Sequence, residues 1–207
     1  MQTSEIRSYI ISKSGERSIL LAQQKRLLDD AINLNSEHDY ILEAQSILQQ
    51  TAKKTQNKLS YHISSFISSA LKSVWGDDAY TFSLDFIEKR NKTEVQMILH
   101  TEQGDVSLES LNDIRSGGGV LDIVALALRI ALWSLQANHQ KVMILDQPFA
   151  NVDQNHLPKA GQLITELSDR LGIQFIIINH NPVLADIATE TIYVEKKDGV
   201  SSIIKEN

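Results

Sequence analysis

Hydrophobic residues in the first third of the chain recur at a strict interval of seven. The repeated positions are Leu20, Leu27, Leu34, Ile41 and Leu48. Residues seven apart lie on one narrow stripe of a helix, so a repeat over four intervals favours a coiled coil or a long paired helix. Neither glycine nor proline interrupts residues 16–61. We therefore predict a long helical arm that needs a partner helix to cover its apolar seam.

Two ordinary helices are the alternative for this segment. The asparagines and serine of residues 33–36 could begin a second helix, because their side chains accept hydrogen bonds from the free N–H groups of a helix start. In residues 62–75 the apolar spacing changes to the three-and-four pattern of a helix face packed on a globular core. We place the domain boundary at this change, with a helical arm over residues 1–60 and a globular lobe over residues 61–207.

Two strands are predicted after this helix. Apolar and polar residues alternate over residues 80–86 and again over residues 95–99, the pattern of a hairpin of two half-buried strands. We expect a second turn at residues 104–105 and a short link over residues 106–111.

Helices and strands alternate in the last third of the chain. Residues 142–145 and 175–178 are continuous apolar runs, which is typical of parallel strands that are buried on both faces. The other predicted elements are a helix over residues 120–136 that is apolar nearly all round and therefore buried, helices over residues 157–171 and 182–189, and a terminal hairpin over residues 191–204. The predicted fold class is therefore α/β, with parallel strands, flanking helices and β-hairpins, preceded by a long helical segment.

The composition excludes several classes of protein. The 207 residues are 42% hydrophobic and 22% charged, close to the globular average. The absence of cysteine excludes disulfide frameworks, thiolate metal sites and cysteine nucleophiles. The formal net charge of −6 argues against a basic nucleic-acid-binding domain, and the basic clusters at residues 53–58 and 89–92 are typical of a solvated face, with contact to nucleic acid as the alternative.

The sequence contains no pattern for export or for a membrane span. Its start lacks the cationic and apolar regions of a secretory signal. No segment approaches the roughly 18 uninterrupted apolar residues of a transmembrane helix. We therefore expect an intracellular, cytoplasmic protein with no membrane partner.

Four polar motifs stand in a definite order at the edges of the predicted elements. The glycine run Ser116–Gly119 precedes a buried helix, where backbone amides and the helix N-terminus can approach an anion. Asp146 ends the first apolar strand, residues 151–153 follow it, and His180 ends the second. Open α/β sheets bind ligands at such strand ends, and a carboxylate there commonly holds a nucleotide's Mg²⁺. Taken singly, each motif also has an ordinary structural interpretation as a turn, a cap or a satisfied histidine.

As an ordered set, these motifs resemble the ABC-type ATPase heads of the SMC and SbcC family of DNA-repair and chromosome-organising proteins. The sequence Ser116-Gly117-Gly118-Gly119 resembles the ABC signature, residues 142–146 resemble Walker B, residues 151–153 the D-loop, and His180 the switch histidine. The match covers residues 111–193, and the upstream heptads resemble the C-terminal half of the family's coiled-coil arm. The resemblance implies the C-terminal lobe of a head, which uses ATP and Mg²⁺ in an assembled complex.

The resemblance also implies a role for each motif. Ser116 and the amides of the following glycines would contact the γ-phosphate of ATP bound to a facing head. Asp146 would orient Mg²⁺ through its waters, Asp153 would help form the interface between heads, and His180 would sense the γ-phosphate. The position after Walker B is ordinarily the glutamate that activates the attacking water.

Two departures from the family pattern stand out. Gln147 occupies the glutamate position, and a neutral amide orients water without accepting its proton, which removes general-base assistance worth about 10²- to 10⁴-fold. A P-loop needs a Gly-Lys step followed by Ser or Thr, and no glycine of this chain precedes a lysine. Gln147 and His180 are the predicted catalytic positions, and we expect the P-loop from another lobe or subunit.

Two function hypotheses follow. The first is a C-terminal half-head that oligomerises through its coiled coil and head, and supplies signature and Walker B elements to an ATP-dependent DNA repair, recombination or replication complex. The second is a non-catalytic scaffold or inhibitor that retains the ABC fold and binds a partner through its coiled coil. Gln147 and the missing P-loop favour the second hypothesis, whereas joint retention of Ser116, Asp146, Asp153 and His180 favours the first. Contact with DNA would be made through the complex.

Overall fold

The computed structural model describes residues 3–77, 79–90, 92–108, 118–136, 140–197 and 199–204. The chain divides into two compact units, residues 1–55 and residues 56–207. Among the described residues, no helix combines the length and the hydrophobicity needed to cross a membrane.

The described part of the first unit is helical throughout. It belongs to helix α1, which begins at Thr3 and ends at Trp75. The prediction of a continuous helix is confirmed, and the alternative of a break at residues 33–36 is wrong. The hydroxyl of Ser36 donates to the carbonyl oxygen of Ile32 at 3.1 Å, so it bonds back to the preceding turn instead of capping a new helix. The five heptad positions are exposed, from 59% at Ile41 to 70% at Leu48.

The second unit begins with the last part of α1, which packs on the core as its apolar spacing predicts. The buried positions are Ile63, Ile67, Ala70, Leu71 and Val74. Gly76 follows the helix with a φ of +103°, and its N–H donates to the carbonyl oxygen of Lys72 at 2.9 Å. Glycine suits this turn because it adopts positive φ without a Cβ clash.

A three-stranded antiparallel sheet comes next, in the order β1-β2-β3. Strand β1 covers Tyr80–Lys89, β2 covers Lys92–Thr101 and β3 covers Gly104–Ser107. The predicted hairpin is confirmed. The predicted turn at residues 104–105 and the start of the predicted link are wrong, because residues 104–107 pair with residues 98–101 of β2. Four residues are too few to show a clear alternation, and residues 109–111 lie outside the described residues.

Serines of α1 hydrogen-bond the outer edge of β1. Ser64 accepts from the backbone N–H of Leu84 at 2.9 Å, and Ser60 donates to the carbonyl oxygen of Leu84. Ser68 accepts from the N–H of Phe82 at 2.9 Å and donates to its carbonyl oxygen at 3.2 Å. A spacing of four places the three serines on one helix face, where they meet alternate residues of the strand. We call these three residues the serine ladder.

The remaining elements alternate as predicted. They are α2 (Gly118–Ser134), β4 (Val142–Asp146), α3 (Leu157–Leu171), β5 (Gln174–Ile178), α4 (Pro182–Ile187), β6 (Tyr193–Lys197) and β7 (Val200–Ile204). Strands β4 and β5 are parallel, whereas β6 and β7 form an antiparallel hairpin. Helix α2 carries much of the core, but Leu132 near its end is 50% exposed, so its predicted burial all round is only partly correct. The α/β fold class is confirmed.

The parallel sheet is buried on one face only. Leu145 is buried and Phe175 and Ile177 are half-buried against the core. The side chains of the other face are exposed, and we call them the open sheet face: Val142, Ile144, Ile176 and Ile178. The prediction that both faces are buried is therefore wrong for this chain, because none of its described elements covers the second face.

Candidate functional site

The carboxyl ends of β4 and β5 bring three predicted site residues to one edge of the parallel sheet. Asp146 is in register with Ile178, the last residue of β5. Gln147 follows Asp146 directly, and His180 lies two residues after Ile178. Asp146, Gln147 and His180 are all exposed. The structure therefore places the predicted Mg²⁺ ligand and both predicted catalytic positions where a ligand at the sheet edge would reach them.

Gln147 has a backbone conformation that is uncommon for a residue with a side chain. Its φ is +45°, in the left-handed region. Two backbone hydrogen bonds hold it there: its N–H donates to the carbonyl oxygen of Ile178 at 2.9 Å, and its carbonyl oxygen accepts from Ala150 at 3.2 Å. Such strain is typical of functional sites, where the surrounding structure fixes an otherwise unfavourable conformation.

Asp153 is engaged by its own turn. Its Oδ1 accepts from the backbone N–H groups of Asn155 at 3.0 Å and His156 at 3.3 Å, and its Oδ2 lies 2.7 Å from His156 Nδ1. The hydrogen bond with the His156 side chain, helped by those from the backbone, holds the pKa of this exposed carboxyl below its ordinary value. Asp153 therefore fixes the turn that leads into α3.

Sequence reasoning missed His156, which links Asp153 to the end of α1. The imidazole ring centre is 5.6 Å from that of Trp75, with the planes tilted by 32°. Trp75 in turn meets Tyr80 edge to face at 5.6 Å. A sequence signal for this contact was available: Asp153 and His156 are three residues apart, immediately before a helix with proline near its start.

Gly118 and Gly119 lie directly against the loop that contains Asn151 and Val152, whereas Ser116 and Gly117 lie outside the described residues. A Cβ atom on Gly118 would stand 2.7 Å from Asn151 Cβ. A Cβ on Gly119 would stand 2.9 Å from the carbonyl oxygen of Asn151 and 3.0 Å from Val152 Cα. The glycines therefore have a packing role in addition to the anion contact predicted for them.

Asp122 on α2 is a second residue that sequence reasoning missed. Its Oδ2 accepts from the backbone N–H of Asn151 at 2.8 Å, and its Oδ1 accepts from Asn151 Nδ2 at 3.2 Å. The two residues are 29 positions apart, so their pairing has no local sequence signal.

Asp146 does not belong to a metal-binding cluster of three or more ligands within the described residues. In those residues, no group of three or more histidine, aspartate and glutamate side chains is arranged to hold a metal ion. An exposed carboxylate at a strand end suits Mg²⁺, which keeps several waters and is often bound by one or two carboxylates together with substrate phosphates.

Comparison with known proteins identifies relatives of part of this chain, although no family model matches it. It is 32% identical over 91 residues to the DNA double-strand break repair Rad50 ATPase of Methanopyrus kandleri, covering 43% of this chain and 10% of that protein. It is 26% identical over 164 residues to the Rad50 ATPase of Sulfolobus acidocaldarius, and this match covers 76% of this chain and 18% of that protein. The chain therefore spans less than a fifth of either relative.

The fold has counterparts among solved structures. One is the Smc head domain of Pyrococcus furiosus with an extended coiled coil, bound to the C-terminal domain of ScpA. It matches with a TM-score of 0.62 at 20% identity, over 95% of this chain and 48% of that one. This likeness establishes a common fold.

Proposed function

Because the chain belongs to the ABC-type ATPase heads of the SMC and Rad50 family, we propose that it is the C-terminal half of such a head, completed by a P-loop lobe from another segment or subunit. The open sheet face carries this proposal. Ile144 at its centre is 68% exposed, and Ile178 is 56% exposed.

An exposed apolar face on a parallel sheet needs a cover. Parallel sheets occur almost only with both faces buried, and contiguous apolar patches on a surface mark interaction sites. Within the described residues, β4 and β5 pair only with each other, so the sheet is also incomplete at its edges. A P-loop lobe that packs a helix on this face and adds strands would supply both missing parts.

The proposed chemistry uses the strand-end residues. Asp146 would hold Mg²⁺ through its waters, and His180 would contact the γ-phosphate. Gln147 would orient the attacking water but would not accept its proton, so we expect slow turnover. The signature residues from Ser116 to Gly119 would contact ATP held by a facing head, with Asp153 at the interface between the heads.

We assign the assembled complex to ATP-dependent DNA repair, recombination or replication. The relatives support this assignment because both are named as DNA double-strand break repair ATPases. The solved Smc head bound to ScpA supports a partner protein for the assembled head. We assign the complex an intracellular location, because its proposed function acts on DNA.

A scaffold or inhibitor without catalysis is the second candidate. The exposed heptad positions favour it, because a helix that pairs with another chain needs no ATP chemistry. Gln147 favours it too, since the base is missing. The two candidates differ in whether the open sheet face receives a P-loop lobe.

Mixing experiments test the first candidate. A polypeptide of the same genome that carries a P-loop and ends in heptads is mixed with this chain, and association is measured by sedimentation. Ile144→Lys should weaken association at least tenfold, because it places a charge on the open sheet face. Val95→Lys is the matched control, since Val95 is 43% exposed on an antiparallel strand, and it should associate like the wild type.

Calorimetry with ATP completes the test. The chain alone should bind no ATP in the micromolar range, because the amides and lysine of a P-loop supply most phosphate contacts. The mixed pair should bind it. Micromolar binding by the chain alone, or normal association of Ile144→Lys, would contradict the half-head.

A further inference from the structure

We propose that Asp122 is a positioning residue, which fixes the loop of residues 151–153 to the start of α2, so that Gly118, Gly119 and this loop meet the nucleotide as one rigid surface. The proposal rests on the proposed function and adds to it a residue outside the four motifs.

The hydrogen bonds of Asp122 determine both the place and the orientation of Asn151. One carboxylate oxygen accepts from the backbone N–H at 2.8 Å, and the other accepts from the side-chain amide at 3.2 Å. Bonds to an ionised acceptor are stronger than neutral ones, and two parallel bonds add geometric specificity. Asp122 is half-buried, whereas Asn151 is exposed. We call this pair the Asp122–Asn151 clamp.

The glycines make the clamp possible. Because the two glycines lack Cβ atoms, the side chain of Asn151 lies directly against Gly118, and the backbone of Asn151 and Val152 lies directly against Gly119. Val152, the next residue, is 8% exposed and belongs to the core. The loop is thus held by hydrogen bonds, by backbone contact and by a buried side chain, and a shift of α2 at this end would carry the loop with it.

The clamp acts on the proposed reaction through placement. Asp122 lies one residue before the fully buried Ile123 of the core, whereas Asp153, two residues after Asn151, is exposed. In an enzyme, a substitution far from the reacting atoms that displaces a catalytic or binding group by about 1 Å can lower the rate about 10²-fold. A loosened loop would therefore slow turnover with little effect on the affinity of ATP for the P-loop lobe.

Amide hydrogen exchange in the isolated chain tests the clamp directly. Asp122→Ala should accelerate exchange of the Asn151 amide by about tenfold or more, because its charged acceptor is lost. Asp122→Asn should give a smaller increase, since the amide oxygen still accepts from the backbone. Asp169→Ala, which removes an exposed carboxylate of α3, is the control and should leave Asn151 exchange unchanged.

Either Asp122 variant tests whether the Asp122–Asn151 clamp holds the loop. Should Asp122→Ala fail to fold, the nearly isosteric Asp122→Asn still gives the measurement. Exchange at Asn151 that stays within twofold of the wild type in the folded variant would overturn the clamp, whatever the assembled complex does.

Kinetics of the mixed complex test the role of the clamp in ATP turnover. Asp122→Asn should lower kcat about tenfold, while KM for ATP and the melting temperature stay near the wild-type values. A purely structural role would instead lower the melting temperature without lowering kcat selectively relative to KM. An unchanged kcat together with faster Asn151 exchange would overturn the positioning role. A wild-type complex that binds no ATP would contradict the proposed function, and the exchange measurement would still judge the clamp.

Discussion

The backbone N–H of Gln147 donates to the carbonyl oxygen of Ile178 at 2.9 Å, one residue beyond the last in-register pair of the two parallel strands. Gln147 makes this bond with a φ of +45°. The left-handed conformation costs a residue with a side chain roughly 1–2 kcal/mol. Strain is thus stored at the residue that follows the proposed Mg²⁺ ligand.

Removal of the Gln147 side chain should relieve this strain. We expect Gln147→Gly to raise the free energy of unfolding by roughly 0.5–1 kcal/mol, because glycine has no Cβ penalty and its unfolded-state entropy offsets only part of the gain. Gln162→Gly at an exposed position inside α3 is the matched control and should lower it by about 1 kcal/mol. Chemical denaturation measures the free energy of unfolding of both variants. Equal destabilisation by the two substitutions would refute backbone strain at Gln147.

A carboxylate at the same position should restore a base. In the mixed complex, Gln147→Glu should raise kcat by up to about 10²-fold, since the attacking water regains a proton acceptor. Asp146→Ala should abolish turnover by removing the Mg²⁺ contact. Steady-state ATPase assays compare the three proteins, and identical rates would favour the scaffold.

Loss of one hydroxyl from the serine ladder should destabilise the second unit. Ser64→Ala leaves the N–H of Leu84 without its acceptor, which should lower the free energy of unfolding by about 1–2 kcal/mol. Ser65→Ala is the control one position along the same helix, where the side chain is exposed, and should change it by less than about 0.5 kcal/mol. If thermal melts of the two variants coincide, the ladder does not stabilise the fold.

Acid titration should reveal the bond between Asp153 and His156. The pKa of Asp153 lies below its ordinary value of 3.8, mainly because the His156 side chain hydrogen-bonds the carboxylate. A lowered pKa contributes stability above pH 3.8 that is lost as the pH falls through the folded-state value. Carboxyl carbon chemical shifts measure the midpoint directly. His156→Ala should move it up towards 3.8, and a midpoint unchanged by this substitution would assign the shift to another cause.

Charges on the heptad seam should prevent pairing of the arm. Leu27 and Leu34 are 68% and 65% exposed, and a single helix does not bury such a seam. Replacing both with Asp should move the sedimenting mass towards the monomer and leave the melting of the second unit unchanged. Asp29→Asn with Asp30→Asn is a control on the same helix that leaves the seam positions intact. An association state that survives the two leucine changes would assign pairing to another surface.

The elements that local patterns define were predictable from sequence. The helix over residues 16–61 followed from seven-residue spacing and from the absence of glycine and proline there, whereas the extension of α1 through Gly15 to Thr3 did not. The bounds of α3 followed from its amphipathic pattern and from Gly172, which has a φ of +64° and caps the helix by donating to the carbonyl oxygen of Ser168. Asp146 and His180 were predicted at strand ends because each follows an apolar run; Asp146 is the last residue of β4, and His180 lies two residues beyond the end of β5.

Contacts between distant segments had no such signal. Ser64 and Leu84 are 20 residues apart, and a serine within a helix has the same local pattern whether it faces solvent or a strand. The close approach of Gly118 to Asn151 is likewise a property of the folded chain. The exposure of Ile144 also had no local signal, since its apolar run is that of a fully buried strand, and none of the described elements covers it.

The serine ladder also makes one strand edge unavailable to other chains. The hydroxyls of α1 occupy the backbone groups of Phe82 and Leu84 that would otherwise pair with an added strand. Edges of this kind are where sheets of separate molecules join and aggregate. This protein therefore closes the β1 edge of its antiparallel sheet with its own helix, so that a strand from a second polypeptide has no free backbone groups to pair with at Phe82 and Leu84.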